Sequence, residues 1–341
     1  MKKSRPKVVS LGGGVGSYQL LCGLKNYPLD ITAVVTMADS GGSSGRLRDE
    51  FGILPPGDVR RALLALSNLP LDKINLRQLF EYRFDSGHGL NGHSFGNLFL
   101  TALTEITGRE DLAIAEAAKI LDVAGRVLPV SLTNTHLCAR LEDGTVIKGE
   151  TNIDIRRIRP DLAILDVFLD PPAKIFPASK KAIMEADLII LGPGDLYGSL
   201  VCNLLVEGIN EAIAASKAKI VFVCNLMTKY GETDNFAVSD FVEEVRRYLG
   251  PANKKLNKVL VNRTNQVSAT LLDRYKQEKA FPVKIDRKNC ERLGVDLIIK
   301  SLASAGQLLR HDPRKLAKAV ISILLSKTSQ KSIIWKVILD G

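Results

Sequence analysis

Lys7-Val8-Val9-Ser10-Leu11-Gly12-Gly13-Gly14-Val15-Gly16 reads as a buried strand that runs directly into a glycine loop. A helix beginning near Ser17 follows, with Leu20, Leu21 and Leu24 on one face. Strand, glycine turn and helix in that order open a parallel α/β unit. Working outward, Ile31–Met37 is the second strand, and Asp187–Leu191, Lys219–Cys224 and Lys258–Val261 are later central strands. Continuous β-branched runs of this kind suit strands covered on both faces. Helical periods place helices near 58–67, 94–107, 110–122, 199–215, 238–249 and 312–325.

The stretch 127–170 breaks the alternation. Val127–Leu132, Leu137–Glu142 and Thr145–Glu150 read as short strands, and Asp143-Gly144 is a hairpin turn signal. The fold class is therefore α/β and doubly wound, with a mainly parallel sheet and a small antiparallel insertion. No repeat or linker divides the chain, so residues 1–341 are expected to form one domain with the excursion at about 127–170.

Composition limits the function classes. The 341 residues are 45% hydrophobic, which is ordinary for a globular chain. Five cysteines, widely spaced and without a Cys-x-x-Cys pair, argue against a disulfide framework or a zinc ribbon. No apolar run approaches the roughly 18 residues of a membrane-spanning helix. Glycines also interrupt the apolar segment that a signal peptide would need, so a cytoplasmic location is expected.

The net charge of +10 is unevenly placed. Residues 1–250 hold 28 basic and 30 acidic side chains, whereas 251–341 hold 19 and 7. No nucleic-acid-binding motif accompanies this basic portion, and the only tryptophan is Trp335. Phosphate attraction is the functional expectation; nucleic acid is not.

Six segments carry the chemistry. In the first glycine loop, Gly13, Gly14 and Gly16 let backbone approach a ligand, and N–H groups at the helix start favour an anion. The same loop also fits a tight turn with no ligand. It is not the dinucleotide fingerprint, because Ser17 stands where the third glycine belongs, and no Gly-Lys-Ser/Thr occurs for a P-loop. Ala38–Arg48, read as a glycine-rich loop, offers Asp39 for a ribose, a metal or a nucleophilic role. Ser43 and Ser44 add short donors, and Arg46 can neutralise phosphate. In Leu54–Arg61, Asp58 suits a helix N-cap, while Arg60 in the first turn opposes the helix dipole and so points to a ligand.

His93 and Asn97 fit as donors to a phosphate or sugar, or as parts of a helix cap. Leu191–Leu200 repeats the strand, glycine loop and helix pattern, with Gly192 and Gly194. Asn225 follows another central strand, with Gly231-Glu232-Thr233 close behind. In a doubly wound sheet the carboxyl ends of neighbouring strands line one crevice. Loops 12–16, 39–48, 91–97 and 192–199 are accordingly expected to face one pocket for a phosphate-bearing nucleotide. Arg46→Ala and Arg60→Ala are each expected to weaken its binding with little change in thermal stability.

The ordered set GGGVG (12–16), ADSGGSSGRLR (38–48), PPGDVR (55–60), GHSFGNL (92–98), GPGDLYGSL (192–200) and NLMTKYGET (225–233) resembles the gluconeogenesis factor (YvcK-like) branch of the 2-phospho-L-lactate transferase (CofD-like) superfamily. The likeness spans about residues 7–325. It implies a Rossmann-like α/β fold with a phosphate-rich crevice, a UDP-sugar ligand such as UDP-N-acetylglucosamine, and a role in regulating cell shape and peptidoglycan precursor supply during gluconeogenic growth. Leu309-Arg310-His311-Asp312-Pro313 resembles the family's closing motif, and Tyr275 falls at a matching aromatic position. Arg310 and Tyr275 are thus expected to close the nucleotide pocket.

Some members carry threonine where Pro313 stands, and proline cannot be phosphorylated. Members commonly have a second acidic residue at the place of Ser40, and serine at the place of Asp195, whose charge beside a diphosphate needs an offsetting metal or arginine. The alternative activity is transfer of a phospholactyl-type group from a nucleotide donor to an acceptor hydroxyl. Asp39 would then be catalytic, as base or as a ligand to Mg2+. A protein partner in cell-wall synthesis and self-association are compatible with either role. A nicotinamide-dependent oxidoreductase is disfavoured by the failed fingerprint.

Overall fold

Residues 8–12 are all buried, which places this first strand in the middle of a sheet rather than at an edge. The computed structural model describes residues 5–69, 76–263, 269–306 and 308–326, so Trp335 lies outside the described residues. In chain order the strands are β1 (Lys7–Gly12), β2 (Asp30–Val35), β3 (Arg126–Pro129), β4 (His136–Leu141), β5 (Val146–Lys148), β6 (Ile164–Asp170), β7 (Leu188–Leu191), β8 (Lys219–Val223), β9 (Lys258–Asn262), β10 (Asp296–Lys300), β11 (Ala303–Ala305) and β12 (Leu309–His311). The helices are α1 (Gly14–Leu24), α2 (Gly42–Phe51), α3 (Gly57–Leu66), α4 (Leu76–Glu81), α5 (Phe95–Thr107), α6 (Glu110–Ile120), α7 (Glu150–Asp154), α8 (Pro177–Met184), α9 (Cys202–Leu204), α10 (Ile209–Ala215), α11 (Val238–Leu249), α12 (Ala269–Gln277), α13 (Arg287–Arg292) and α14 (Pro313–Leu325).

Seven strands make one sheet in the order β10-β9-β8-β7-β1-β2-β3, and every pairing in it is parallel. Strand order runs one way from β1 through β3 and the other way from β7 through β10. The reversal between β1 and β7 is the topological switch point of a doubly wound sheet. Register fixes its geometry: Leu11 lies opposite Leu191, and Gly12 lies opposite Val35. β5, β4 and β6 form the small antiparallel sheet, with the hairpin turn at Asp143-Gly144. Among the described residues no helix is long and apolar enough to cross a membrane.

Three expectations change. Val127–Leu132 does not belong to the antiparallel excursion, because β3 pairs in parallel with β2, from Thr32 opposite Arg126 to Val35 opposite Pro129. A four-residue strand carries no mark of its partner. The helix expected over 199–215 is broken into a π-helical turn at Leu196–Val201, α9 and α10. Gly208 makes the second break at φ +95, a conformation that side chains rarely adopt. Its neighbour Glu207 instead pairs its backbone with Ala173 and Ile175. Finally, the glycine-rich loop expected at 38–48 is mostly helix: α2 starts at Gly42 and buries Ser43, Ser44, Leu47 and Arg48.

The last helix sets where the basic C-terminal portion goes. Pro313 occupies the first turn of α14, and the Asp312 side chain caps it by accepting the N–H groups of Arg314 and Lys315 at 3.0 Å. α14 lies against α1 at Gly23, where a Cβ would meet the Pro313 carbonyl oxygen at 2.0 Å and Ala317 Cβ at 2.8 Å. That docking holds the β11–β12 hairpin near the switch point. Gly23→Ala should therefore separate the two helices and cost about 1–3 kcal/mol, read as a fall of several degrees in melting temperature. An unchanged melting temperature would show that the two helices adjust freely.

Candidate functional site

At the switch point two glycine loops press together. A Cβ on Gly16 would lie 2.6 Å from the Pro193 carbonyl oxygen, and one on Gly12 would lie 3.7 Å from Gly192 Cα. Ser17 Oγ donates to the Pro193 carbonyl at 3.3 Å, and Asn225 Nδ2 donates to the Gly194 carbonyl at 2.9 Å. Above these loops a cavity of about 730 Å³ opens. Gly14, Gly16 and Gly194 lie on its lining, as do Asp39, Asn225, Tyr275 and Arg310. Gly13 and Gly192 belong to the same two loops without lining it.

Other candidates stand elsewhere. Arg60 is 7% exposed, and its guanidinium donates to Ser94 Oγ and, at 2.9 Å, to Asn97 Oδ1. Asn97 Nδ2 in turn donates to Ser43 Oγ at 3.1 Å and Ser44 Oγ at 3.3 Å, and Ser43 Oγ lies 3.2 Å from His93 Nδ1. These six side chains form a buried polar network joining α2, α3 and α5 behind the cavity. Ser94 also caps α5, as the sequence suggested. Arg46 donates to the Asn91 carbonyl at 2.8 Å and lines a separate shallow pocket with His88. Loop 91–97 therefore does not join the other three at the cavity.

The structure adds residues that the sequence reading missed. Asp58 is not the N-cap of α3, a position held by Pro56; its Oδ1 accepts the Gly14 N–H at 2.9 Å and pairs with Arg61 at 2.8 Å. Arg61, not Arg60, therefore faces the cavity, together with Gln19, Thr36, Glu150, Thr151, Asp154, Ser199 and His311. Helical period could have found Arg61, since it stands one turn after Asp58 while Arg60 shares a face with Leu63 and Leu64. Nothing in the local pattern marks Glu150, which follows the hairpin of the antiparallel sheet.

The lining is rich in carboxylates: Asp39, Asp58, Glu150, Asp154 and Asp195. Burial, then the charges of Asp39, Asp195 and Asp58, push the Glu150 carboxyl up to about 7. Burial also raises Asp58, against the pull of Arg61. Burial and Glu232 likewise push Asp195 upward, but the Lys229 ammonium 2.6 Å from its Oδ2 favours the ionised form. His311 is pushed down to about 4 by burial, so it faces the cavity as neutral imidazole; its Nε2 has no hydrogen-bond partner. Asp154, Asp195 and Glu232 bring oxygens within 4.8 Å of one another, a spacing that suits a cation. The Lys229 ammonium reaches all three.

A parallel sheet with glycine loops and a cavity at its switch point defines a doubly wound, Rossmann-like α/β class of protein. The chain belongs to the family of 2-phospho-L-lactate transferase CofD, whose model matches residues 8–303. Within it, the chain is similar to proteins named gluconeogenesis factor. That of Halalkalibacterium halodurans is 44% identical over 324 residues, covering 94% of this chain and 97% of the relative. That of Bacillus subtilis is 41% identical over 323 residues, covering 94% and 98%. A crystal structure of a Bacillus halodurans protein matches with a TM-score of 0.87 at 43% identity, covering 94% of this chain and 99% of the other.

Two outcomes test the site. Arg60→Ala strands buried Ser94 and Asn97 groups and should cost about 2–4 kcal/mol of stability; a melting temperature equal to wild type would return Arg60 to the ligand. Glu150 titrates near 4.3 in an unfolded chain. The folded form thus holds its proton more tightly, and stability is lost as pH rises from about 4.3 through about 7. Glu150→Gln removes that loss, worth about 1–3 kcal/mol. Its melting temperature should match wild type near pH 4.5 and exceed it at pH 8, whereas a constant difference across that range would mean an ordinary carboxylate.

Proposed function

We propose that the chain is a gluconeogenesis factor that binds a nucleotide diphosphate-sugar, UDP-N-acetylglucosamine or a close relative. In this reading it regulates cell shape and peptidoglycan precursor supply during growth on gluconeogenic carbon sources, acting in the cytoplasm on a protein of cell-wall synthesis. The observation that carries the reading is the meeting of two glycine loops beneath one cavity, with Tyr275 and Arg310 on the same lining. Its volume of about 730 Å³ suits a ligand of nucleotide-sugar size.

The lining divides by chemistry. Leu226, Met227, Tyr275, Leu308 and Leu309 give one apolar side for a base. Tyr275 Oη accepts the Leu309 N–H at 3.0 Å, which holds the ring in place for stacking. The diphosphate then lies over Gly14, Gly16 and Gly194, and Arg310 supplies a forked cation for its oxygens. The acidic side suits sugar hydroxyls, which donate to carboxylates.

A phospholactyl-type transferase is the second reading, favoured by Asp39 and Glu150 sharing the cavity. Mg2+ fits this donor set, because it takes hard carboxylate oxygens together with phosphate oxygens. Asp39 would hold it, and the ion would offset the diphosphate charge. Glu150, with a carboxyl at about 7, would accept the proton of the acceptor hydroxyl as that oxygen bonds the transferred phosphorus and a nucleoside monophosphate leaves.

Calorimetry against UDP-N-acetylglucosamine, UDP-glucose, GTP and NADH separates the ligands, and mass spectrometry of the mixtures detects turnover. Arg310 is exposed, so Arg310→Ala should leave the melting temperature nearly unchanged. Its loss should weaken sugar-nucleotide binding by about 1.5–3 kcal/mol, roughly ten- to hundredfold. Intact affinity in this variant, or a tight salt-sensitive DNA complex lost on Lys→Ala replacement in the basic portion, would overturn the reading.

A further inference from the structure

Asp195 directly follows the second glycine loop and lines the cavity. Its Oδ1 accepts the Gly198 N–H at 3.3 Å. Its Oδ2 accepts from Lys229 Nζ at 2.6 Å. Lys229 comes from a different part of the chain, the loop after β8, and the same ammonium also pairs with Asp154 and, at 2.7 Å, with Glu232 Oε1. The Glu232 side chain is 1% exposed, and the ion pair lacks hydrogen-bond geometry, so neither of its oxygens has a hydrogen-bond partner. Arg156, buried nearby, raises no rival claim to Asp195: its guanidinium donates to the Pro160 and Leu162 carbonyls and feels Glu232 and Asp234.

Three carboxylates thus converge on one ammonium, at the edge of the loop over which a diphosphate would lie. Without that ammonium the second glycine loop would present Asp195, backed by Asp154 and Glu232, to an arriving dianion. Like charges at such range, partly shielded from water, oppose binding strongly. We infer that Lys229 is the counter-ion that makes the second glycine loop tolerant of a diphosphate, by holding the Asp195 carboxylate in an ion pair. This rests on the diphosphate reading of the cavity. It also explains how an acidic residue can stand in that loop without an arginine beside it.

Inorganic pyrophosphate and UDP-N-acetylglucosamine are the two probes, each titrated into the full chain by calorimetry. Lys229→Met should weaken both by roughly ten- to hundredfold, while Lys229→Arg keeps most of the affinity. Asp195→Asn placed in the Lys229→Met background should restore binding, because an amide oxygen still accepts the Gly198 N–H but carries no charge. A merely structural Lys229 predicts no such rescue. Loss without rescue, or no loss in Lys229→Met, overturns the inference, and so does a wild-type chain that binds neither probe. If wild type binds pyrophosphate with this pattern but not the sugar nucleotide, the counter-ion role stands and the sugar-nucleotide reading falls.

Discussion

The close approach of two backbone loops between β1 and β7 is the constraint on which the rest of the molecule depends. Parallel strands about 4.8 Å apart carry their following loops to the same edge of the sheet. Side chains on both loops would force them apart; a Cβ on Gly16 alone would enter the Pro193 carbonyl. With glycine in these positions the loops close up, and two helical starts open toward one space. The first start is already partly satisfied, since Asp58 accepts the Gly14 N–H. That leaves a site whose polarity is set by side chains brought from other segments.

Those side chains make an unusual electrostatic balance. Five carboxylates line the cavity, and each cation near them comes from a different part of the chain. Arg61 stands on α3 and is paired with Asp58, Lys229 follows β8, and Arg310 lies on the β11–β12 hairpin. Burial of carboxylates beside one another raises their affinity for protons, as the Glu150 carboxyl near 7 illustrates. Protonation, ion pairing and a bound divalent cation are three ways to the same end, which is to lower the negative charge facing the cavity.

Behind the cavity lies a second polar system with a different task. Arg60, Ser94, Asn97, Ser43, Ser44 and His93 hydrogen-bond one another across three helices, while Arg60 Nε stays unpaired. A buried network of this kind holds helix ends in one arrangement, because a partial set of hydrogen bonds costs more than none. Its residue types are those of a phosphate site, which is why a linear reading assigns them to one. The distinction is positional: these groups are spent on each other.

Strand and helix periods, the order of the parallel units and the glycine loops were legible in the chain itself, because they depend on contacts near in sequence. Gly14, Gly16, Asp39, Gly194 and Asn225 were therefore found at the ends of strands that the apolar runs had marked. The parallel pairing of β3, the helical state of residues 42–51 and the break at Gly208 depended on partners remote in the chain. So did the choice of Arg61 over Arg60, the arrival of Glu150 from the antiparallel sheet, and the capture of Asp195 by Lys229. A local pattern records which face of an element is apolar, but not what packs against it. Charge balance in the cavity is a sum over segments far apart in sequence, and only the folded chain performs that sum.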